Sequence, residues 1–201
     1  MARYSEQIIT GAVETLKNGG VVVYPTETVY GIGCDPFNME ACERVQQMKK
    51  REDAKPLLLL ASSLAQVEEC AGELPEIPLR LAQIFWPGPL TMVIWPKNNF
   101  PGYLYGRTGG VAFRVTSHPV AEALARKFGF PVTSTSANVT GRTPIVTYEN
   151  AQELFGKSAD IVLETAEPLH GRPSTVIDLT SGHIAVIREG SISLERIQEV
   201  L

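Results

Sequence analysis

Short, continuously apolar runs alternate with longer segments of helical periodicity throughout this chain, and this alternation limits what it can fold into. Residues 21–24, Val-Val-Val-Tyr, have the β-branched content of a strand that is buried on both faces. Runs of strand length recur at 57–61, 90–95 and 110–115. Helices and strands that alternate this closely predict a mixed α/β sheet within a single domain.

The segments between the apolar runs carry the start and stop signals of helices. Residues 5–18 place apolar side chains at helical spacing and end at Gly19 and Gly20, which favour a helix C-terminus. Residues suited to the N-cap precede five further segments, and these are Asn38, Ser63, Ser117, Thr147 and Ser193. Another helix is predicted over 78–85, with shorter strands over 132–134, 161–163, 175–179 and 183–187. The order of the strands in the sheet does not follow from these patterns.

The composition is that of an ordinary globular protein. Of the 201 residues, 44% are hydrophobic and 20% charged, which excludes a disordered or fibrous chain. No apolar run approaches the roughly 20 residues of a membrane helix, so we expect a cytoplasmic protein without membrane contact. The net charge of −4 argues against binding bare nucleic acid through the overall field. Three cysteines (Cys34, Cys42, Cys70) without a Cys-x-x-Cys pair favour reduced, buried thiols over a zinc site or disulfide framework.

Several familiar nucleotide and nucleophile motifs are absent from the sequence. It has no Gly-x-x-x-x-Gly-Lys-Ser/Thr phosphate loop, no Gly-x-Gly-x-x-Gly and no Gly-x-Ser-x-Gly elbow. Instead, the predicted strands end in loops rich in hydroxyl groups and cations, at the edge where open α/β sheets bind ligands. The chemistry of the chain is therefore expected at these strand ends.

Two of these loops each allow two interpretations. Residues 25–31, Pro-Thr-Glu-Thr-Val-Tyr-Gly, are either a turn whose polar side chains satisfy the local backbone or a ligand-binding loop. Residues 49–55 hold four cations directly after a predicted helix. They are either the solvated end of that helix or the positive patch that a triphosphate requires when no phosphate loop exists. We expect Lys49 to be exposed there.

Hydroxyl and cationic side chains also accompany the later strands. Residues 134–138, Ser-Thr-Ser-Ala-Asn, can either cap a helix or contact polar ligand atoms. Ser174 and Arg188 flank the last two predicted strands. Arg114 lies within an apolar run, where an arginine needs either a partner or a solvent-facing position.

Seven short blocks in chain order resemble the signature of the YrdC family. The blocks are Pro-Thr-Glu-Thr-Val-Tyr-Gly at 25–31, Lys-x-Arg at 49–51 with Lys-Pro at 55–56, Trp-Pro-Gly-Pro-Leu-Thr at 86–91, Arg-Val at 114–115 before His-Pro at 118–119, Ser-x-Asn at 136–138 with Gly141, Ser-Thr-Val at 174–176, and Arg-x-Gly at 188–190. The resemblance covers nearly the whole chain. It implies one domain over residues 1–201, without the C-terminal extension domain of longer members. It also implies a twisted mixed sheet, flanked by helices, with a large concave cavity.

The same resemblance implies an activity. Members with both the Lys-x-Arg and the Ser-x-Asn block are threonylcarbamoyl-AMP synthases, which convert L-threonine, bicarbonate and ATP into threonylcarbamoyl-AMP and pyrophosphate. We therefore expect a nucleotidyltransferase, with a divalent ion such as Mg²⁺ sharing the charge of the triphosphate. The product serves threonylcarbamoyladenosine formation in tRNA. Expected partners are thus tRNA-modifying transferase proteins, with tRNA contact at most indirect or weak.

Site residues follow by carrying the family pattern onto this sequence. The catalytic candidates are Lys49, Arg51, Ser136 and Asn138. The ATP-binding candidates are Lys49, Arg51, Lys55, Gly110, Ser136, Asn138, Pro144 and Arg188. The threonine-binding candidates are Thr28, Leu60, Arg114, Ser134 and Ser174. In this set Arg114 would pair with the threonine carboxylate, because its guanidinium can make a two-pronged contact.

Three positions depart from the family pattern. Gly110 stands where a hydroxyl residue is common, Pro144 where a serine is usual, and Leu60 where some relatives have a histidine near threonine. Leu60 would make that wall of the threonine pocket apolar. The alternative function is an RNA-binding or ribosome-maturation module that docks RNA on residues 49–55, but the acidic net charge weighs against it.

Overall fold

The structure, a computed structural model, describes residues 5–49, 56–138 and 143–201. Its helices are α1 (Glu6–Lys17), α2 (Met39–Met48), α3 (Leu64–Ala71), α4 (Glu76–Phe85), α5 (Pro119–Phe128), α6 (Tyr148–Phe155) and α7 (Leu194–Gln198), with a 3₁₀ turn at Gly102–Leu104. Within these ranges no helix is long and apolar enough to cross a membrane.

The strands form one mixed sheet. They are β1 (Val22–Pro25), β2 (Tyr30–Gly33), β3 (Leu58–Ala61), β4 (Leu90–Ile94), β5 (Val111–Val115), β6 (Val132–Ser136), β7 (Ile161–Val162), β8 (Thr175–Asp178) and β9 (Ala185–Arg188). Their order across the sheet is β7-β1-β2-β6-β3-β5-β4-β8-β9. The pairs β1/β7, β3/β5 and β4/β8 are parallel and the other pairs antiparallel. The predicted fold class, a mixed α/β sheet flanked by helices, is confirmed.

Most of the predicted N-cap residues form capping hydrogen bonds. Side chains of Ser5, Asn38, Ser63, Thr147 and Ser193 each accept a backbone N–H from the first turn of their helix. The predicted cap Ser117 is wrong. Helix α5 starts with Pro119, which needs no N–H partner at that position, so His118 becomes the cap and its Nδ1 accepts the N–H of Val120 at 3.2 Å.

Strand β2, which the sequence patterns did not predict, pairs with β1 in an antiparallel hairpin. It contains Gly31 and Gly33, and glycine weakens the strand signal because it offers no side chain to pack. Both glycines lie under the ring of Tyr24. A Cβ at Gly33 would stand 2.0 Å from the carbonyl oxygen of Thr133 and 2.9 Å from that ring. The close approach of β2 to β6 therefore requires glycine at position 33.

The two faces of the sheet are covered differently. Helices α2, α3 and α4 pack against one face, over a core that includes Leu59, Met92 and Phe113. Helices α1 and α5 pack on each other and against β1 and β3 on the opposite face, where Leu60 and Val132 are buried. Because side chains alternate along a strand, the remaining residues of this second face point away from the main core. These residues form the floor of a cavity.

Candidate active site

The cavity lies on the part of the second face that α1 and α5 leave uncovered, and has a volume of about 790 Å³. This size is in the range of small-molecule sites. Strands β3, β4, β5, β6, β8 and β9 and the loop at 26–29 all contribute to its wall. The predicted site residues that line it are Thr28, Gly110, Arg114, Ser134, Ser136, Ser174 and Arg188.

Arg114 lies at the floor of the cavity and is only 4% exposed. Its Nε and Nη2 donate to Oε1 of Glu27 at 3.1 and 2.5 Å, and Nη2 also donates to Oγ1 of Thr28 at 3.1 Å. A guanidinium this deep is stabilised only when its charge is paired. Of the two expectations for Arg114, a partner or a solvent-facing position, the structure therefore shows the first, and the partner is Glu27.

Glu27 is held ionised by its neighbours. Its second oxygen, Oε2, accepts a hydrogen bond of 2.7 Å from the hydroxyl of Thr116. Burial is the largest influence and opposes ionisation, but the charge of Arg114 and the hydrogen bonds together outweigh it and lower the pKa of the carboxyl. Glu27 and Arg114 therefore form a buried ion pair throughout the neutral pH range.

The loop at 26–29 combines both interpretations that its sequence allowed. The Thr26 hydroxyl donates to the carbonyl oxygen of Val29 at 2.6 Å and accepts the N–H groups of Thr28 and Val29, so it satisfies the local backbone. The Thr28 hydroxyl lies 2.9 Å from that of Thr26 and faces Arg114. Thr28 is the member of the loop that brings a hydroxyl to the cavity beside a cation.

Lys49 is 1% exposed, so the expectation that it lies at an exposed helix end is wrong. It follows α2 as the C-cap, and its ammonium reaches the loop after β6. There Nζ donates to the carbonyl oxygen of Ser136, to Ser136 Oγ at 3.3 Å, and to the backbone and side-chain oxygens of Asn138 at 3.0 and 3.1 Å. These oxygens replace the water that a buried ammonium loses. The structure thus joins Lys49 to the Ser136-x-Asn138 block.

Ser174 and Arg188 meet at the other side of the cavity. Arg188 donates through Nε and Nη2 to the carbonyl oxygen of Ser174, at 3.2 and 2.9 Å, and Nη2 also reaches Ser174 Oγ at 3.2 Å. That hydroxyl also shares a hydrogen bond of 2.9 Å with Thr91. Arg188 is exposed in the edge strand β9, whereas Ser174 is buried. The pair connects the mouth of the cavity to its floor.

The remaining predicted site residues lie apart from the cavity or outside the described ranges. Leu60 is fully buried under α5 and does not line the cavity, because it lies further along β3 than the lining residue Leu58. Pro144 is half-buried and is absent from the cavity wall as far as the structure describes it. Arg51 and Lys55 lie outside the described residues.

Three further residues line or support the site without having been assigned to it. Arg107 is exposed at the tip of the hairpin between β4 and β5 and lines the cavity. The neighbouring Thr108 donates to Oδ2 of Asp178 at 2.7 Å, which fixes the tip to β8. Glu27 belonged to a block that the sequence singled out, but only the fold brings it to Arg114 from 87 residues away.

The described residues do not build a metal centre. No group of three or more His, Cys, Asp or Glu side chains lies together in them. Asp178 is the one carboxylate among the described lining residues, and its two oxygens already accept hydrogen bonds from Thr108 and Thr180. Within the described ranges, the cavity wall therefore offers no carboxylate oxygen that is not already hydrogen-bonded.

Comparison with known proteins relates the chain to one family along most of its length. A family model described as "Telomere recombination", that of the Sua5, YciO and YrdC proteins, matches residues 14–190. A Coxiella burnetii protein named threonylcarbamoyl-AMP synthase is 40% identical over 181 residues, which are 89% of this chain and 96% of that protein.

Two solved structures share the architecture. The crystal structure of P. abyssi Sua5 with L-threonine superimposes with a TM-score of 0.91 at 34% identity; the match covers 99% of this chain and 58% of Sua5. The crystal structure of E. coli YciO gives a TM-score of 0.88 at 28% identity, over 97% of this chain and 95% of YciO. The present chain thus spans somewhat more than half the length of Sua5. By its sequence and its fold, the chain belongs to the Sua5/YciO/YrdC family.

Proposed function

We propose that this protein is an L-threonylcarbamoyladenylate synthase, which forms threonylcarbamoyl-AMP and pyrophosphate from L-threonine, bicarbonate and ATP for tRNA modification. The names of its relatives and the threonine bound to Sua5 support this function. The observation that carries the proposal is the cavity itself. It combines a buried guanidinium and hydroxyl groups at its floor with an exposed guanidinium at its mouth, and so suits a small amino acid beneath a polyphosphate.

The floor of the cavity supplies the groups that an amino acid needs. Arg114 offers the charge to bind a carboxylate, and Thr28 and Ser134 place hydroxyls on the same part of the wall. Ser174 is hydrogen-bonded to Thr91 nearby. We assign threonine to Thr28, Arg114, Ser134 and Ser174. Leu60 would affect this pocket only through Leu58 and the packing beneath it.

The nucleotide would lie toward the mouth. Arg188 offers a positive charge at the edge strand, and Ser136 lines the wall where Lys49 holds the 136–138 loop. The family pattern adds Arg51 and Lys55 for the triphosphate, and Gly110, Asn138 and Pro144 for the nucleotide. Mg²⁺ would enter as the complex that ATP brings with it, bound by phosphate oxygens and water.

The reaction that this arrangement serves is a nucleotidyl transfer. The threonine amine and bicarbonate condense to a carbamate with loss of water, and one carbamate oxygen then attacks the α-phosphorus of ATP while the bond to pyrophosphate breaks. The protein has to align the carbamate with the α-phosphate and to stabilise negative charge on the leaving group. Arg114 would hold the carboxylate end, and Arg188 with the cations of 49–55 would stabilise the departing pyrophosphate.

The proposal is tested by incubating the purified protein with ATP, L-threonine, ¹⁴C-bicarbonate and Mg²⁺ and following pyrophosphate and labelled threonylcarbamoyl-AMP together. Equal amounts of both products are expected, with neither formed when threonine or bicarbonate is omitted. Arg114→Gln should abolish both products, while the matched variant Arg126→Gln, at a surface position 66% exposed, should leave them unchanged. Pyrophosphate released without threonine, or the absence of labelled product, would refute the assignment.

A further inference from the structure

We infer that Glu27 is a positioning residue for the substrate carboxylate: it occupies the Nε–Nη2 edge of Arg114 and thereby presents the Nη1 end to the cavity. The inference rests on the proposed function, since it takes threonine as the ligand of Arg114. It concerns a residue that lies behind the cavity wall and would not touch the substrate.

The hydrogen bonds of Arg114 divide its guanidinium into a used and an unused part. Nε and Nη2 both donate to Oε1 of Glu27, and the second N–H of Nη2 is directed to Thr28 Oγ1. Nη1 makes no hydrogen bond to the described residues. A carboxylate can bind an arginine side-on, through Nε and Nη2. Glu27 already occupies both nitrogens, so the substrate cannot bind Arg114 in this way.

Nη1 is also the nitrogen that remains accessible. Among the described residues, Tyr30 Oη is the one side-chain nitrogen or oxygen that is inaccessible to solvent and forms no hydrogen bond. Nη1 forms no hydrogen bond with the described residues and is not among the inaccessible atoms, and Arg114 lines the cavity, so Nη1 is the nitrogen left for a ligand. An incoming carboxylate would meet Nη1 next to the Thr28 hydroxyl.

Glu27 is itself fixed on three sides, which makes it a rigid support. Thr116 donates to Oε2, and the N–H of Thr116 is bound to the carbonyl oxygen of Ala61 in the neighbouring strand. The backbone oxygens of Glu27 and Thr28 accept the N–H groups of His170 and Gly171, at 3.0 and 2.8 Å. The segment between β7 and β8 thus clamps the loop that carries the carboxylate.

The charge balance gives the arrangement a second consequence. An unpaired guanidinium on a long flexible stem would turn toward any available anion, including a phosphate of ATP. With Glu27 bound at Nε and Nη2, the guanidinium has one orientation and leaves Nη1 for a small carboxylate at the floor. Removal of Glu27 should therefore weaken threonine binding far more than ATP binding.

The test compares Glu27→Gln with the milder Thr116→Val, which removes the hydrogen bond to Oε2 together with the acceptor of the His118 N–H. We expect KM for threonine to rise roughly 10- to 100-fold in Glu27→Gln and by a few-fold in Thr116→Val, with KM for ATP changed less than about twofold. L-Threoninol, which lacks the carboxylate, is the second probe. Its inhibition constant should stay the same in wild type and variant, because it never used Arg114.

The control is Arg126→Gln, which removes the ion pair with Glu122 on the surface of α5 and should alter neither KM. An equal rise in both KM values, or an equal loss for threonine and threoninol, would show that Glu27 only stabilises the fold. If Glu27→Gln does not fold, an unchanged threonine KM in Thr116→Val overturns the inference. A wild-type protein that makes no threonylcarbamoyl-AMP would instead refute the proposed function.

Discussion

At the scale of single residues, Lys49 shows how burial changes the meaning of a charged side chain. A lysine at an exposed helix end contributes little to stability, whereas a buried ammonium must be matched by acceptors. Here the acceptors are oxygens of Ser136 and Asn138, so Lys49 fixes the backbone of the loop that follows β6. Its contribution to ATP binding would then run partly through the shape of that loop.

This predicts that Lys49→Met loses both turnover and stability. Methionine fills the space but gives up the charge-assisted hydrogen bonds of Nζ to oxygens of Ser136 and Asn138, which should cost about 1 to 3 kcal/mol. The measurements are urea unfolding and the rate of pyrophosphate release. Lys17→Met, at an exposed position in α1, is the control and should behave like wild type. A fully stable Lys49→Met would show that the contacts of Nζ with the loop have no energetic weight.

The sequence did not predict the burial of Lys49 because its contacts join residues that are far apart in the chain. Its partners lie 87 and 89 residues away in the chain. Local composition at 49–55, with four cations, is typical of a solvated surface. The pairing of Glu27 with Arg114 could not be predicted for the same reason, because only the sheet brings the two residues together. Residue types were readable from the sequence, but their pairing was not.

At the scale of elements, the prediction succeeded where the signals are local. Capping side chains act on N–H groups within three residues, so Asn38 or Ser63 could be recognised directly. Strand β2 could not, since Gly31 and Gly33 are there for close packing under Tyr24 and carry no strand signal. The cap of α5 was misplaced by one residue because imidazole is an uncommon capping group.

The His118 cap gives the stability a pH dependence. Burial, opposed in part by Glu27 and Glu167, lowers the pKa of His118 from 6.5 to about 4. The unfolded chain therefore binds a proton more readily, and the stabilisation is complete above pH 6.5 and lost as the pH falls toward 4.

We expect this loss to reach about 3 kcal/mol between pH 7 and 4. His118→Asn keeps a good cap and removes the titration, so urea unfolding of the two proteins at pH 7, 5 and 4 isolates the effect. Parallel pH profiles for wild type and His118→Asn would contradict the assignment.

The hairpin between β4 and β5 depends on Gly110. A Cβ there would stand 2.5 Å from Thr180 Cγ2 and 2.7 Å from Val93 Cγ1, both on stiff β-branched side chains. We expect Gly110→Ala to lower the free energy of unfolding by about 1 to 3 kcal/mol and to displace the cavity wall, which slows turnover.

Gly102→Ala is the matched control for this hairpin. A Cβ at Gly102 meets nothing within 4 Å, so calorimetry should show little change. Wild-type stability in Gly110→Ala would mean that Thr180 and Val93 can move aside for the added Cβ at little cost in free energy.

At the scale of the whole molecule, the cavity exists because α1 and α5 cover only part of one sheet face. Leu60 and Leu58 lie on the same side of β3, yet the first is sealed under α5 and the second lines the cavity. The sequence could place both in a strand. It could not say where the helical cover ends, because α1 and α5 meet from opposite parts of the chain. Leu60 was assigned to the threonine pocket from the family pattern, and the sequence offered no means of seeing that α5 covers this position.

The depth of the cavity predicts that bound nucleotide traps threonine. The residues assigned to the amino acid lie at the floor, with Thr28 1% and Ser174 2% exposed, whereas Arg188 is at the exposed edge strand. With ATP at the mouth, threonine would have to wait for the nucleotide to leave. A non-hydrolysable ATP analogue should therefore slow the release of labelled L-threonine by about tenfold or more, in the manner of a closing lid.

The measurement is a chase of ¹⁴C-threonine by unlabelled threonine without bicarbonate, so that no product forms. AMP is the control, because it lacks the β- and γ-phosphates that Arg188 and the cations of 49–55 would bind, and should slow release much less. The slowing by the analogue should also decrease in Arg188→Ala, whose cavity mouth holds the triphosphate less firmly. Equal release rates with and without the analogue would mean that threonine has its own exit, and that the two ligands lie side by side rather than one above the other.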